Sequence, residues 1–186
     1  MKTELDLGSV SRTISHALRH KPWLYELELD DSGWVGIEAL LSALRQERAG
    51  WSDLTEADLA RMIAHSGKKR HELRDGRIRA LYGHSTPQRL AKELAAPPQT
   101  LYHGTSHEAA LLIQANGLRP MGRQYVHLSV DAGMAEQVGR RKAKAPVILL
   151  VRAGEAHSAG VAFYRGNDAV WLADLIPARF IDATSH

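Results

Sequence analysis

The segment from Ser85 to Thr100, STPQRLAKELAAPPQT, carries three prolines and no strand-like alternation, and it divides the 186-residue chain. Proline lacks a backbone donor and restrains the residue before it, so such a stretch continues neither a helix bundle nor a sheet. The sequence therefore predicts two lobes, 1–85 and 101–186, joined by a linker over 86–100 with a short helical turn at Leu90–Leu94.

Before the break, apolar residues recur at helical spacing. Ser9 or Ser11 can cap a helix through Ile14, Ala17 and Leu18 that stops near Lys21, ahead of Pro22. Arg19 and His20 then fall in its last turn, where the helix dipole favours cations. Leu27–Asp30 alternates like a short strand, and Asp31-Ser32-Gly33 reads as a turn. Ile37–Leu44 suits an amphipathic helix, and Thr55-x-x-Asp58 is a capping-box pattern opening a third. Two short runs, Arg70–Leu73 and Arg77–Tyr82, flank Arg74-Asp75-Gly76, a hairpin signal. Three helices followed by a hairpin is the element order of a winged helix.

After the break, strand patterns take over. Leu101–His103 should be a strand, followed by a helix over His107–Asn116 that ends at Gly117. In Tyr125–Ser129, Tyr125, His127 and Ser129 share one face and Val126 and Leu128 the other, because side chains alternate along a strand. That polar front, with His103-Gly104-Thr105 on the earlier strand, makes a plausible floor for a polar ligand. A helix over Ala132–Arg141, a buried strand over Pro146–Val151, and strands at Val161–Tyr164 and Val170–Leu172 complete a β-rich lobe. Arg165-Gly166-Asn167-Asp168 is the expected turn between the last two. The fold class expected is α+β.

Several functions are disfavoured at this level. Without cysteine there can be no disulfide or thiolate metal site, and the composition fits a reducing cytoplasmic setting. There is no apolar run of membrane-spanning length and no apolar core near the N-terminus of the kind a secretory signal needs. None of the ten histidines shows H-E-x-x-H spacing, and no P-loop, Rossmann fingerprint or G-x-S-x-G elbow is present. No metal and no membrane partner are expected.

What remains is base beside histidine. With a formal charge of only +3, the chain concentrates cations at Arg19–Lys21, Lys68–His71 and Arg140–Lys144. A single such cluster commonly does no more than solvate a helix face. Arginine presents a planar fork that matches phosphate oxygens, and histidine exchanges a proton near neutral pH. Converged, they would form a phosphate clamp with a proton-transfer group.

Local segments then carry a family resemblance. SRTISHALRH (Ser11–His20), LDDSGWV (Leu29–Val35), Lys69–His71, Gly76–Ala80, Gly83-His84-Ser85, LYHGT (Leu101–Thr105), GLRPMGRQYVHLS (Gly117–Ser129), VGRR (Val138–Arg141) and NDAVWL (Asn167–Leu172) run in family order. On these segments the chain resembles the RNA 2′-phosphotransferases of the KptA family.

The resemblance implies a winged-helix lobe followed by an ADP-ribosyltransferase-like lobe, and a two-step, NAD⁺-consuming reaction on a tRNA-like RNA in splicing or repair. An internal RNA 2′-phosphate attacks C1″ of NAD⁺ and expels nicotinamide. O2″ then attacks phosphorus, releasing RNA 2′-OH and ADP-ribose 1″,2″-cyclic phosphate. By the same resemblance the essential set falls on Arg19, His20, Arg70 and Arg123. The arginines would hold the phosphate and His20 would move a proton in the second step. His103, Gly104, Thr105, His127, Ser129 and Val170 would line the NAD site, Val170 lying near the place where many relatives of that fold carry a glutamate.

The family usually has histidine in place of Tyr125 and phenylalanine in place of His71. A monomer is expected. The competing readings are an ADP-ribosyltransferase for another acceptor, a nucleic-acid phosphate end or a protein, and a non-catalytic winged-helix RNA-binding module.

Overall fold

The computed structural model describes residues 4–82, 84, 92–166 and 168–184. It is a mixed α/β chain, with six α-helices and two antiparallel sheets among those residues. Two compact units divide it, Met1–Arg89 and Leu90–His186. No helix among the described residues is long and apolar enough to cross a membrane.

In the first unit, α1 (Leu7–Arg19) starts earlier than Ser9 or Ser11, because Asp6 is the cap and accepts the Ser9 N–H at 3.1 Å. A carboxylate at the start of a helix answers both the orphan amide and the positive dipole end. The helix ends at Arg19 with His20 as C-cap.

The strand expected at Leu27–Asp30 is absent. Leu27 and Leu29 are buried, but the segment forms no β-ladder and follows a 3-10 turn at Pro22–Tyr25. Its alternation records burial without a ladder. Asp30 then takes the N–H groups of Ser32 and Trp34, both at 2.9 Å, closing the turn before β1 (Val35–Gly36).

The second helix, α2, covers Ile37–Glu47, and α3 covers Glu56–Ala64 behind the reciprocal Thr55–Asp58 capping box. β2 (His71–Arg74) and β3 (Arg77–Ala80) form the hairpin, with Asp75 at φ 50 and Gly76 at φ 70 as the two turn residues. Two left-handed residues are what a two-residue I′ turn demands, and Asp-Gly meets that demand. The sheet order is β1-β3-β2, backed by Ile14, Leu18, Leu40, Leu44, Leu59 and Ile78.

The second unit is built on one sheet of seven strands. These are β4 (Glu93–Leu94), β5 (Leu101–Thr105), β6 (Val126–Ser129), β7 (Val147–Val151), β8 (Phe163–Arg165), β9 (Val170–Ala173) and β10 (Ile181–Ala183), in the order β10-β7-β5-β6-β9-β8-β4. The apolar run seen in the sequence is β7, flanked by strands on both sides with Leu149 and Val151 fully buried.

Three helices complete the unit: α4 (His107–Asn116), α5 (Ala132–Gly139) and α6 (Ala153–Ser158). Part of the stretch read as linker, Glu93–Leu94, is an edge strand paired to β8, while Leu90 lies outside the described residues. Asn167 of the expected turn also lies outside them, and Arg165 meets Asp168 at 3.5 Å.

Helix α5 packs closely on β5. A Cβ built on Gly104 would fall on the carbonyl of Ala135 and lie 3.0 Å from the Gly139 amide. Only a residue without a side chain lets these two backbones approach.

Candidate active site

Within the first unit, the end of α1 and the start of β2 bring Arg19, His20 and Arg70 together. The Arg19 guanidinium donates to the Arg70 carbonyl at 3.4 Å and lies 5.0 Å from the Tyr82 ring centroid. Hydrogen bonding and aromatic contact aim a side chain that would otherwise sample many rotamers. His20 and Arg70 line one pocket of about 420 Å³ with residues of α1. His20 is exposed and Arg70 half-buried.

Beneath them lies His71, 2% exposed, with its Nε2 3.3 Å from the Ser15 hydroxyl. Burial, with the charges of Arg19 and Arg70 beside it, pushes the His71 imidazole down to about 4. His84 is lowered by burial and then by Arg19 and His20; His16 is lowered by burial and then by Lys21 and His20. A buried imidazole beside two guanidiniums, as His71 is, stays neutral and leaves the cationic work to arginine.

His71 makes stability pH-dependent. In the folded chain it stays neutral down to about 4, whereas the unfolded chain protonates near 6.5. Its stability is therefore complete above pH 6.5 and is lost as pH falls from there towards 4, by at most about 3 kcal/mol. His71→Phe should flatten that part of a stability–pH profile measured by urea unfolding. A profile as steep as the wild type's would refute the assignment.

In the second unit, β5 and β6 share a single registered pair, Tyr102 opposite Ser129, and no pair beyond it among the described residues. From there the two strands part. His103 Nδ1 lies 3.1 Å from the His127 carbonyl, and because a carbonyl can only accept, Nδ1 carries the proton. Gly104 pairs with Ile148 of β7 on its other edge, and the Lys142 ammonium donates to the Gly104 carbonyl at 3.4 Å.

Ser129 also stands opposite Val170 of β9, and His127 opposite Leu172. His103, Thr105, His127, Ser129 and Val170 are all buried, so the expected polar front is covered, not open to solvent along its length. Alternation from the Tyr102–Ser129 pair puts His127, Ser129 and Val170 on one face and His103 and Thr105 on the other.

Arg123 belongs to this unit. It sits half-buried in the turn before β6, its N–H donating to the Pro120 carbonyl at 3.2 Å. The Tyr125 ring packs against that of Tyr164, with centroids 5.0 Å apart and planes tilted by 55°. In the Arg140–Lys144 cluster, Arg140 is held by Glu136 at 2.6 Å, an ion pair within the helix-end turn.

Sequence reasoning passed over Tyr82, Ser15 and Lys142. Ser15 had a visible signal, lying four residues before Arg19 on one helix face. Among the described residues no group of three or more His, Asp or Glu side chains could hold a metal ion.

Comparison with known proteins bears on this arrangement. The model of the family described as "RNA 2′-phosphotransferase, Tpt1 / KptA family" matches residues 6–175. A Bacillus thuringiensis subsp. konkukian protein named "Probable RNA 2′-phosphotransferase" is 56% identical over 173 residues, 93% of each chain. An Acetivibrio thermocellus protein of the same name is 53% identical over 177 residues, 95% of this chain and 97% of its own. The names of the family and of these relatives describe enzymes that transfer a phosphate of RNA. The chain belongs to the RNA 2′-phosphotransferase, Tpt1/KptA family.

Proposed function

We propose that this chain removes an internal RNA 2′-phosphate at the expense of NAD⁺. The observation that carries the reading is the Arg19–His20–Arg70 cluster, held together by the Arg19–Arg70 contact at 3.4 Å above a neutral, buried His71. An RNA 2′-phosphate brings about two negative charges, and guanidiniums fixed before it arrives stabilise the charge that shifts during transfer.

The roles follow from the chemistry. Arg19 and Arg70 hold the 2′-phosphate while one of its oxygens bonds to C1″ and nicotinamide leaves. In the second step O2″ bonds to phosphorus, the P–O2′ bond breaks, and His20 moves the proton from O2″ or to the leaving RNA oxygen. The products are RNA 2′-OH and ADP-ribose 1″,2″-cyclic phosphate.

On the same reading the first unit is a winged helix, supported by its three helices and Asp75-Gly76 hairpin, and the second is ADP-ribosyltransferase-like. Binding of NAD⁺ by His103, Gly104, Thr105, His127, Ser129 and Val170 is supported by the single registered pair between β5 and β6, beside which these residues lie. There, backbone groups near Gly104 can meet a carboxamide.

The test is incubation with an RNA bearing one internal 2′-phosphate, with and without NAD⁺. Loss of the phosphate only with NAD⁺, together with the cyclic phosphate product, is expected. RNA that remains ADP-ribosylated would favour transfer to another acceptor, and no reaction would remove the proposal. In the same assay His20→Ala should accumulate ADP-ribosylated RNA, since its burden falls on the second step. Full-rate completion by the variant would exclude that role.

A further inference from the structure

The pocket that contains His20 and Arg70 extends well beyond them. It continues along α1 past His16 and Ser15 to Arg12 and Ser11. These residues recur at three- and four-residue intervals, so they form one stripe on the helix surface. Arg12 is eight residues from His20, about 12 Å along a helix axis, further than one phosphate group reaches.

The stripe is built for an anion. Its lining holds two guanidiniums, two hydroxyls and two imidazoles and no carboxylate. Gly8 closes its far end, where an added Cβ would lie 3.1 Å from the Asp6 carboxylate and 3.4 Å from the Arg12 guanidinium. Arg12 itself is exposed, and its ion pair with Asp6 is long, 3.7 Å, between two solvated side chains. Such a surface pair is weak and yields readily to a phosphate. The Ser15 hydroxyl is steadied from below by His71. A volume of about 420 Å³ is of the size that takes a nucleotide.

We propose that this stripe is a second phosphate subsite, in which Arg12, with Ser11, binds the phosphodiester of a nucleotide flanking the 2′-phosphorylated one. The inference rests on the proposed reaction at Arg19, His20 and Arg70. Arg12 here is a substrate-affinity residue, eight positions before His20. It makes the enzyme prefer a chain over a lone nucleotide, because an added phosphodiester gains an additional cation.

The experiment compares a six-nucleotide RNA carrying one internal 2′-phosphate with a 2′-phosphorylated mononucleoside, for wild type and Arg12→Gln. For wild type the longer RNA should show the lower KM. In Arg12→Gln its advantage should shrink about 5–10-fold through KM, with kcat on the longer RNA held, and Arg12→Lys should recover much of it. The slope of log KM against log salt should fall by about 0.7, one single-strand phosphate contact. An unchanged preference in Arg12→Gln, or an equal loss on both substrates, would overturn the subsite while leaving the reaction standing. A wild-type protein inactive on both substrates would overturn the reaction, and the subsite with it.

Discussion

Gly104→Ala is expected to abolish the cooperative folding of the second unit. The added methyl would occupy the position of the Ala135 carbonyl, and neither backbone can retreat. β5 is pinned by five registered pairs to β7, and α5 is set by its Asp131 cap on the Met134 amide at 2.8 Å. A clash with a flexible side chain relaxes cheaply, whereas one between two backbones forces layers apart, at a cost of at least about 3 kcal/mol. Chemical denaturation followed by near-UV circular dichroism should show loss of that unit's transition. If Gly104 serves only to let a ligand approach, the variant would instead melt like wild type and merely fail to bind. That result would refute the packing account.

Arg70→Ala should do the opposite, keeping the fold and removing the reaction. The side chain is half-buried at the pocket rim, and its backbone carbonyl, which the substitution preserves, is the group that Arg19 contacts. On the proposed mechanism a fixed cation at a transferring phosphoryl group accounts for about 10²–10³-fold in rate. Arg70→Lys should recover little of it, because an ammonium cannot grip two oxygens in a plane. Single-turnover rates on 2′-phosphorylated RNA, read beside an unchanged melting curve, make the measurement. Activity within a few-fold of wild type would exclude Arg70 from the phosphate clamp.

Much of this architecture was legible in the residues. Thr55 with Asp58, Asp75 with Gly76, and Gly117 after Asn116 are local instructions, satisfied by neighbours in the chain, and each element they bound appears where the sequence places it. What the sequence hid depends on distant partners. Leu27 and Leu29 alternate like a strand, yet no neighbour offers a ladder. Conversely, Glu93–Leu94 and Ile181–Ala183 carry little strand signal and become strands because an edge is available.

The site divides in the same way. Residue types and family order singled out Arg19, His20 and Arg70, but their meeting depends on a contact across 51 positions. Gly104 was legible as a special position, though not the reason, since α5 lies in another part of the chain. His71 could be read only as a departure from the family. Its burial between two arginines becomes clear once β2 is laid against α1.

The parting of β5 from β6 after a single pair carries a consequence for how such a chain can vary. Where a ladder is withheld, the strands present amides and carbonyls, which every residue possesses, so that part of the chemistry there is not encoded in side chains. Drift in the surrounding sequence can therefore retune shape and packing without erasing it. Tyr125, in place of the family's usual histidine and packed against Tyr164, fits that pattern. The positions that cannot drift are those that hold the backbones at their distance, and a glycine pressed against a helix is the strictest of them.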